Sequence, residues 1–423
     1  MTQLPDSRSS DPQVVKSATL KLLNYCQSRN WAGIDPYDAL NSKVFQALPL
    51  LNRRIPRLVL SQALKRSIFN FRSILLVPPA QNPKALGLFL TSLLRLSTLG
   101  LVNGESAAEK IVDSLEALRS TNAKYYCWGY SFPWQTRTLL VPRWAPNLVC
   151  TTFVANALLD AYEHYGRNHL LEMASSSAKY LLEELYWTNG SGVAGFGYPL
   201  PSMKNNVHNG NLLGAALLCR VAKHTGDRTL IDAALKVARY STSKQNADGS
   251  WHYGESPAQR WIDNFHTGFN LCALREIGEN LQTDEFDHHQ LLGFRFYRHH
   301  FFREDGAARY FHDQTYPIDI HSVAQSIITL LTFKDFDPQN RQLAQRVFEW
   351  AMKHMWDEQG CFYYRVLRTC TIRTSYMRWS QAWMLLAMST MIRDAGLSEK
   401  SNTSKSAELT PVQTETGPTV RVH

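Results

Sequence analysis

Two aspartates each stand just ahead of a histidine at the start of an apolar run: Asp263 three residues before His266, and Asp319 two before His321. Carboxyl and imidazole groups exchange protons readily near neutral pH, so two such pairs are candidates for acid and base work. If the runs that carry them are neighbouring helices, about 8–10 Å apart, the two carboxylates can face a common volume at a separation suited to hydrolysis across a water. Hydration of an unsaturated uronide needs one aspartate as both acid and base. Epimerisation needs a base on each side of one carbon, a role open to His266 and His321. Asp263 is the leading acid/base candidate, with Asp319, His266 and His321 in support. Burial beside an aromatic such as Trp261 raises a carboxyl pKa and keeps a general acid protonated.

The same spacing also suits helix capping. Asp263 with His266, Asp319 with Ser322, Asn147 with Cys150 and Asn205 with His208 all place a short polar side chain three residues ahead of a first-turn N–H. The two roles are compatible, because a ring of helix N-termini makes a positive rim that favours a carboxylated sugar.

Around these pairs lie residues suited to holding a saccharide. His208, Trp144, Arg143, Trp251, Tyr253, Glu255, Arg260, Trp261, Tyr310, Tyr316 and Trp379 are the binding candidates. Flat rings with polar tips match the apolar faces of sugars, and Arg143 and Arg260 can each hold a uronate or phosphate by a forked contact. Trp128, Tyr130, Trp134, Phe196, Tyr198 and Tyr364 extend the aromatic set. Rings of this kind also pack long loops against one another, and surface ion pairing is the plain alternative for the two arginines.

The elements that must position these groups follow from an internal period. Apolar runs opening at His208, His266, His321 and Trp379 are spaced by 58, 55 and 58 residues, and Cys150 heads another run 58 residues before His208. A less regular member starts at Pro83. Between them lie amphipathic segments near 14–29, 105–120, 168–186, 229–245, 285–302 and 339–356, with apolar residues at three- and four-residue spacing. The last four pairs share a glycine followed four residues on by an aromatic: Gly192 and Phe196, Gly249 and Tyr253, Gly306 and Tyr310, Gly360 and Tyr364. Gly33 and Tyr37 repeat the spacing near the start. Six apolar inner helices alternating with six half-wet outer ones predict an all-α (α/α)6 toroid over residues 13–396, with short β-ribbons in rim loops such as "SWHY" and "CFYYRV". Residues 1–12 and 397–423, rich in Ser, Thr, Pro and charge, are expected to be disordered tails.

This repeat, together with "WAGIDPYDALNS", "NPKALGLFL", "NADGSWHYGE" and "RWIDNFHTGFNL", resembles the VpsJ-type polysaccharide-biosynthesis proteins of the six-hairpin glycosidase-like superfamily. The resemblance spans nearly the whole chain apart from the tails. It implies the toroid and an exopolysaccharide context; it implies no catalytic residue.

Composition narrows the function classes. The net charge of +9 is spread over the chain, apart from small groups such as Arg53, Arg54 and Arg57, which argues against nucleic acid and is compatible with an acidic oligo- or polysaccharide. No apolar, uncharged stretch of about 18 residues is present, so no integral membrane segment is expected and a cytoplasmic location is. Seven single cysteines with no Cys-x-x-Cys spacing argue against a structural metal, and no cofactor is expected. A zinc-dependent toroid of the lanthionine-cyclase kind lacks its ligands here. "QNADGSW" fits the Q-x-x-x-G-x-W pattern of terpene-cyclase toroids, but their acidic Asp-x-Asp-Asp run is absent. The expectation is a saccharide-active enzyme: a hydrolase, a lyase-type enzyme or an epimerase. The alternative is a non-catalytic glycan-binding toroid or a scaffold for polysaccharide-assembly proteins.

Overall fold

The computed structural model describes the backbone of residues 12–408 and side chains through residue 396. In chain order the main helices are α1 (Pro12–Gln27), α2 (Arg54–Arg66), α3 (Pro83–Thr98), α4 (Glu105–Ala117), α5 (Leu148–Tyr165), α6 (Asn168–Tyr180) and α7 (His208–Thr225). They continue as α8 (Arg228–Thr242), α9 (Asn264–Leu281), α10 (Asp287–His300), α11 (Ile320–Thr332), α12 (Gln339–Met355) and α13 (Trp383–Glu408). The last helix thus runs past the expected boundary at residue 396. The remainder of the two expected tails lies outside the described residues.

Six helices form the inner ring: α3, α5, α7, α9, α11 and α13. Each packs on two inner neighbours, and α13 packs on α3, so the ring closes. The inner helices begin within two residues of the positions that the 55- to 58-residue period marks, Trp379 apart. There, a wide-turned segment Met377–Ala382 precedes α13. Composition explains the layering. Along α7 nearly every residue from His208 to Val221 is buried, small residues such as Gly210, Gly214 and Ala215 allowing close neighbours on every side. On the outer helix α8 the buried residues Leu230, Ala233, Ala234, Val237, Ala238 and Ser241 recur at three- and four-residue spacing, which leaves one face wet. Each outer helix packs on the inner helix that precedes it, and α1 packs on α13.

Inner helices pass to outer ones through short turns. Gly166 and Gly226 end α5 and α7 in the left-handed conformation, with φ of 68° and 73°. The return connections are long and gather at the N-terminal ends of the inner helices. In three of them a left-handed glycine sits on the backbone of the next outer helix. A Cβ on Gly249 would meet the Leu292 carbonyl oxygen at 2.3 Å, one on Gly306 the Arg346 oxygen at 2.5 Å, and one on Gly360 the Lys21 oxygen at 3.0 Å. The last contact joins the final hairpin to the first helix. Gly192 has the same conformation, φ 84°, but faces open space.

The strands are short. Cys361–Phe362 pairs with Trp356–Asp357, and Arg365–Val366 pairs with both Ile318–Asp319 and Thr371–Ile372, so the ribbon expected at "CFYYRV" forms. At "SWHY" there is no strand, only a bridge between Gly254 and Val207 beside it. Polar side chains of the inner layer pin such ribbons: Gln381 accepts from the Phe362 N–H at 2.9 Å and donates to the Phe362 carbonyl at 2.8 Å.

Candidate functional site

At the N-terminal mouth of the inner ring lies a cavity of about 120 Å³. Its lining is Tyr37, Lys84, Tyr130, Phe132, Trp134, Val149, Tyr198, Asn209, Tyr253, Phe265, His266, Phe269, His321, Arg378 and Trp379. No carboxylate is among them.

The two leading aspartates stand behind this lining rather than in it. Asp263 is the N-cap of α9: its Oδ1 accepts from the His266 backbone N–H at 3.0 Å, and its Oδ2 accepts from the Trp261 indole at 2.9 Å. The same Oδ2 lies 2.7 Å from His266 Nδ1, and the carboxylate is fully enclosed. Asp319 caps α11 through the His321 N–H at 2.9 Å, two residues on rather than at Ser322. It also accepts from the Trp379 indole at 2.8 Å and pairs with Arg365. Asp263 is therefore committed to a cap, an indole and an imidazole, and Asp319 to a cap, an indole and a guanidinium. An N-cap side chain folds back over its own helix start. Asn147 caps α5 as the spacing predicts, with Cys150 N–H at 2.9 Å. Asn205 does not cap α7; Val207 occupies that position and the His208 N–H donates to the Tyr253 carbonyl.

The histidines do reach the cavity. With Nδ1 fixed on Asp263, His266 keeps Nε2 as the ring position free for a ligand, and its side chain is 20% exposed. His321 is buried, and neither ring nitrogen has a hydrogen-bond partner among the described residues. Its pKa is driven far below the usual value by burial, with Lys84, Arg378 and His266 adding repulsion, so the ring is neutral. Both imidazoles border Phe265, at centroid distances of 4.1 and 4.4 Å. A buried polar group without a partner marks a place where a ligand can supply the missing bonds.

Two basic side chains complete the polar set. Lys84, in the first turn of α3, lies 4.1 Å from the Phe153 ring centroid and has no ion-pair partner among the described residues. Burial, reinforced by Arg378, lowers its pKa well below the ordinary lysine value. Arg378 instead holds Asp35 through two bonds of 2.7 and 2.8 Å. Burial opposes its charge, but Asp35 outweighs that and keeps the guanidinium charged.

Of the remaining sequence candidates, Tyr253 and Trp379 line the cavity. Trp261 backs Tyr253 as a parallel stack at 4.5 Å, with 12° between the planes. His208 is buried beside the cavity, its Nδ1 unpartnered, and Trp251 is a core residue bonded to the Ser241 carbonyl. Glu255 binds Tyr240 and Asn206 away from the cavity. Arg143 lies over the Trp144 ring, Tyr310 packs under the Arg365 guanidinium, and Arg260 and Tyr316 are exposed. None of these five residues, Arg143, Trp144, Arg260, Tyr310 and Tyr316, nor Glu255, lines the cavity. The sequence reading missed Lys84, Phe132, Asn209, Phe265, Phe269 and Arg378. Most lie in or beside the first turns of inner helices, and the available signal was position: all but Phe132 are within about one turn of a marked helix start.

No protein-family model matches the chain, and no curated protein does. Solved structures do match it in fold. A GH76 α-mannanase of Bacteroides thetaiotaomicron superposes with a TM-score of 0.59 at 13% identity, over 75% of this chain and 88% of that one. For a cellobiose 2-epimerase from Spirochaeta thermophila the score is 0.57 at 13% identity, with 75% and 87% covered. An unsaturated glucuronyl hydrolase from Streptococcus agalactiae gives 0.58 at 11% identity, over 93% and 94%. The closed double ring and these superpositions together establish that the chain is an (α/α)6 toroid, the six-hairpin architecture of those proteins.

Proposed function

We propose that the protein is a saccharide-active enzyme that moves protons with imidazoles, in the manner of an epimerase or isomerase. The observation that carries this reading is the pair of histidines in the cavity, one oriented by a buried aspartate and one neutral and unpartnered, in a lining without carboxylates. Two-carboxylate hydrolysis needs both acids beside the scissile bond, about 5–10 Å apart. Asp263 and Asp319 are instead engaged behind the lining, so Asp263 becomes a positioning residue for His266.

In the proposed reaction His266 Nε2 removes a proton from a carbon next to a carbonyl or carboxylate, and the electron pair passes to that oxygen as an enolate. Arg378 is the charged group available to the enolate oxygen, neutral His321 can hydrogen-bond the substrate, and the imidazolium formed on His266 returns a proton to the other face once the enolate has turned over. One C–H bond breaks and one forms, with no net change in atoms. Tyr253, braced by Trp261, and Trp379 supply flat faces for the sugar ring. A uronate fits the unpaired Lys84. The exopolysaccharide context, the VpsJ-type relationship and a cytoplasmic location belong to the same proposal; the sequence motifs quoted above support them, and the named activities of the fold neighbours support a carbohydrate substrate.

Incubating the protein with neutral and acidic oligosaccharides in D2O, and following products by mass spectrometry and NMR, tests it. Inversion at one carbon with deuterium uptake there is expected, and His266→Asn should lower turnover about 10²- to 10⁴-fold. Products that have gained water would replace the epimerase with a hydrolase or hydratase. Binding without turnover, unchanged in His266→Asn, would leave a glycan-binding scaffold.

A further inference from the structure

Between α1 and α3 the chain makes an excursion that the toroid does not need. Residues 39–104 contain no Asp or Glu, while Lys43, Arg53, Arg54, Arg57, Lys65, Arg66 and Arg72 all fall within 43–76. The same stretch holds 11 of the 14 large apolar side chains that are exposed among the described residues. Leu50 is 84% exposed, Ile55 68%, Val59 62%, Phe69 64% and Ile74 72%. Isolated exposed apolar residues are ordinary on any surface, but this concentration is not.

The excursion is anchored, so its exposed tips are presented rather than loose. Arg72 is buried and pairs with Asp38 at 2.6 Å, while Leu64 faces inward from α2. On the outward side of α2, Ile55, Val59 and Ala63 form a stripe at four-residue spacing, with Arg53, Arg54 and Arg66 exposed around its ends. Lys65 donates to the Tyr37 hydroxyl at 2.7 Å, and α2 packs on the strand that contains Trp134. Tyr37 and Trp134 both line the cavity. The apolar, cationic surface therefore borders the cavity mouth.

We infer that residues 43–76 form a docking surface for an anionic lipid bilayer. Protruding apolar side chains ringed by cations match the boundary between acidic headgroups and acyl chains, where each type of group finds its complement. A second copy of the same surface would set cations against cations without one carboxylate to relieve them. The apolar side chains project instead of lining a groove, which suits a soft surface better than a folded partner. No helix among the described residues is long and apolar enough to cross a membrane, so the attachment is peripheral. A cavity mouth held at a bilayer serves a saccharide presented there; this last clause rests on the proposed saccharide activity, whereas the docking does not.

Flotation with phosphatidylcholine vesicles, with and without phosphatidylglycerol, tests the inference on the whole protein. Wild type should float with the acidic vesicles and stay behind with the neutral ones, and added salt should weaken the attachment. Arg53→Gln/Arg54→Gln and Ile55→Asp/Val59→Asp should each reduce binding by about tenfold or more at unchanged thermal midpoint. Their sites are exposed, and if either double variant fails to fold, the other reports alone. Failure of folded wild type to float, or flotation indifferent to both variants, overturns the inference. So does a dimer, seen by light scattering, that Ile55→Asp/Val59→Asp dissociates in a protein that does not float. His266→Asn should float like wild type, which separates docking from catalysis.

Discussion

His208 shows what burial does to a single titrating group. It is 2% exposed at the head of α7, and burial lowers its pKa from an ordinary 6.5 to about 4. Between those values the unfolded chain binds more protons than the folded one, so stability rises with pH through that window and is lost on acidification. The shift corresponds to roughly 3 kcal/mol when pH falls below about 4. Urea denaturation of wild type and His208→Gln at a series of pH values should show the steeper acid loss in wild type; parallel curves would mean the imidazole is not enclosed in solution. The placement of individual residues was partly legible in the sequence. Histidine at a helix mouth pointed to residues that line the cavity for His266 and His321, but not for His208. The aspartates before them were not equally legible: the spacing that suits catalysis is also that of a cap, and only their hydrogen bonds show them committed.

The helices were legible because a toroid imposes two different burial patterns in strict alternation, and the apolar runs repeat at a nearly constant interval. The excursion at 43–76 was not. Its helix α2 turns Ile55 and Val59 outward, so the rule that apolar faces seek the core gives the wrong expectation there. The rim turns illustrate a finer point of sequence pattern. Gly192, Gly249, Gly306 and Gly360 all carry positive φ, between 84° and 90°, but only the last three press on a neighbouring helix. Replacing any of them by alanine costs about 1–3 kcal/mol of backbone strain. Gly306→Ala should cost more than Gly192→Ala, because its methyl also collides with the Arg346 carbonyl. Equal shifts in urea midpoint for the two variants would show that the turn moves away from α12 without penalty.

At the scale of the molecule, closure couples every hairpin to two neighbours. Linear helix-pair arrays can fray from their ends, since a terminal repeat has one partner. Here α13 seals against both α3 and α1, leaving no terminal repeat in the ring. Unfolding in urea should therefore follow one transition that far-ultraviolet circular dichroism and tryptophan fluorescence report at the same midpoint. Separated transitions would indicate that part of the ring melts independently. The two faces of the toroid also divide the labour: long connections on one side build the cavity, and short turns on the other only reverse the chain.

Because α1 is seated on α13, covalent order and spatial order are separable in this protein. A ring has no privileged first hairpin. Gly166 and Gly226 are exposed, with open space around them, at the short turns away from the cavity. New termini opened at either glycine, with the old ends of the toroid bridged by a linker, would leave each interhelical contact in place. The toroid is thus a natural candidate for circular permutation, its beginning being a matter of genetics more than of packing.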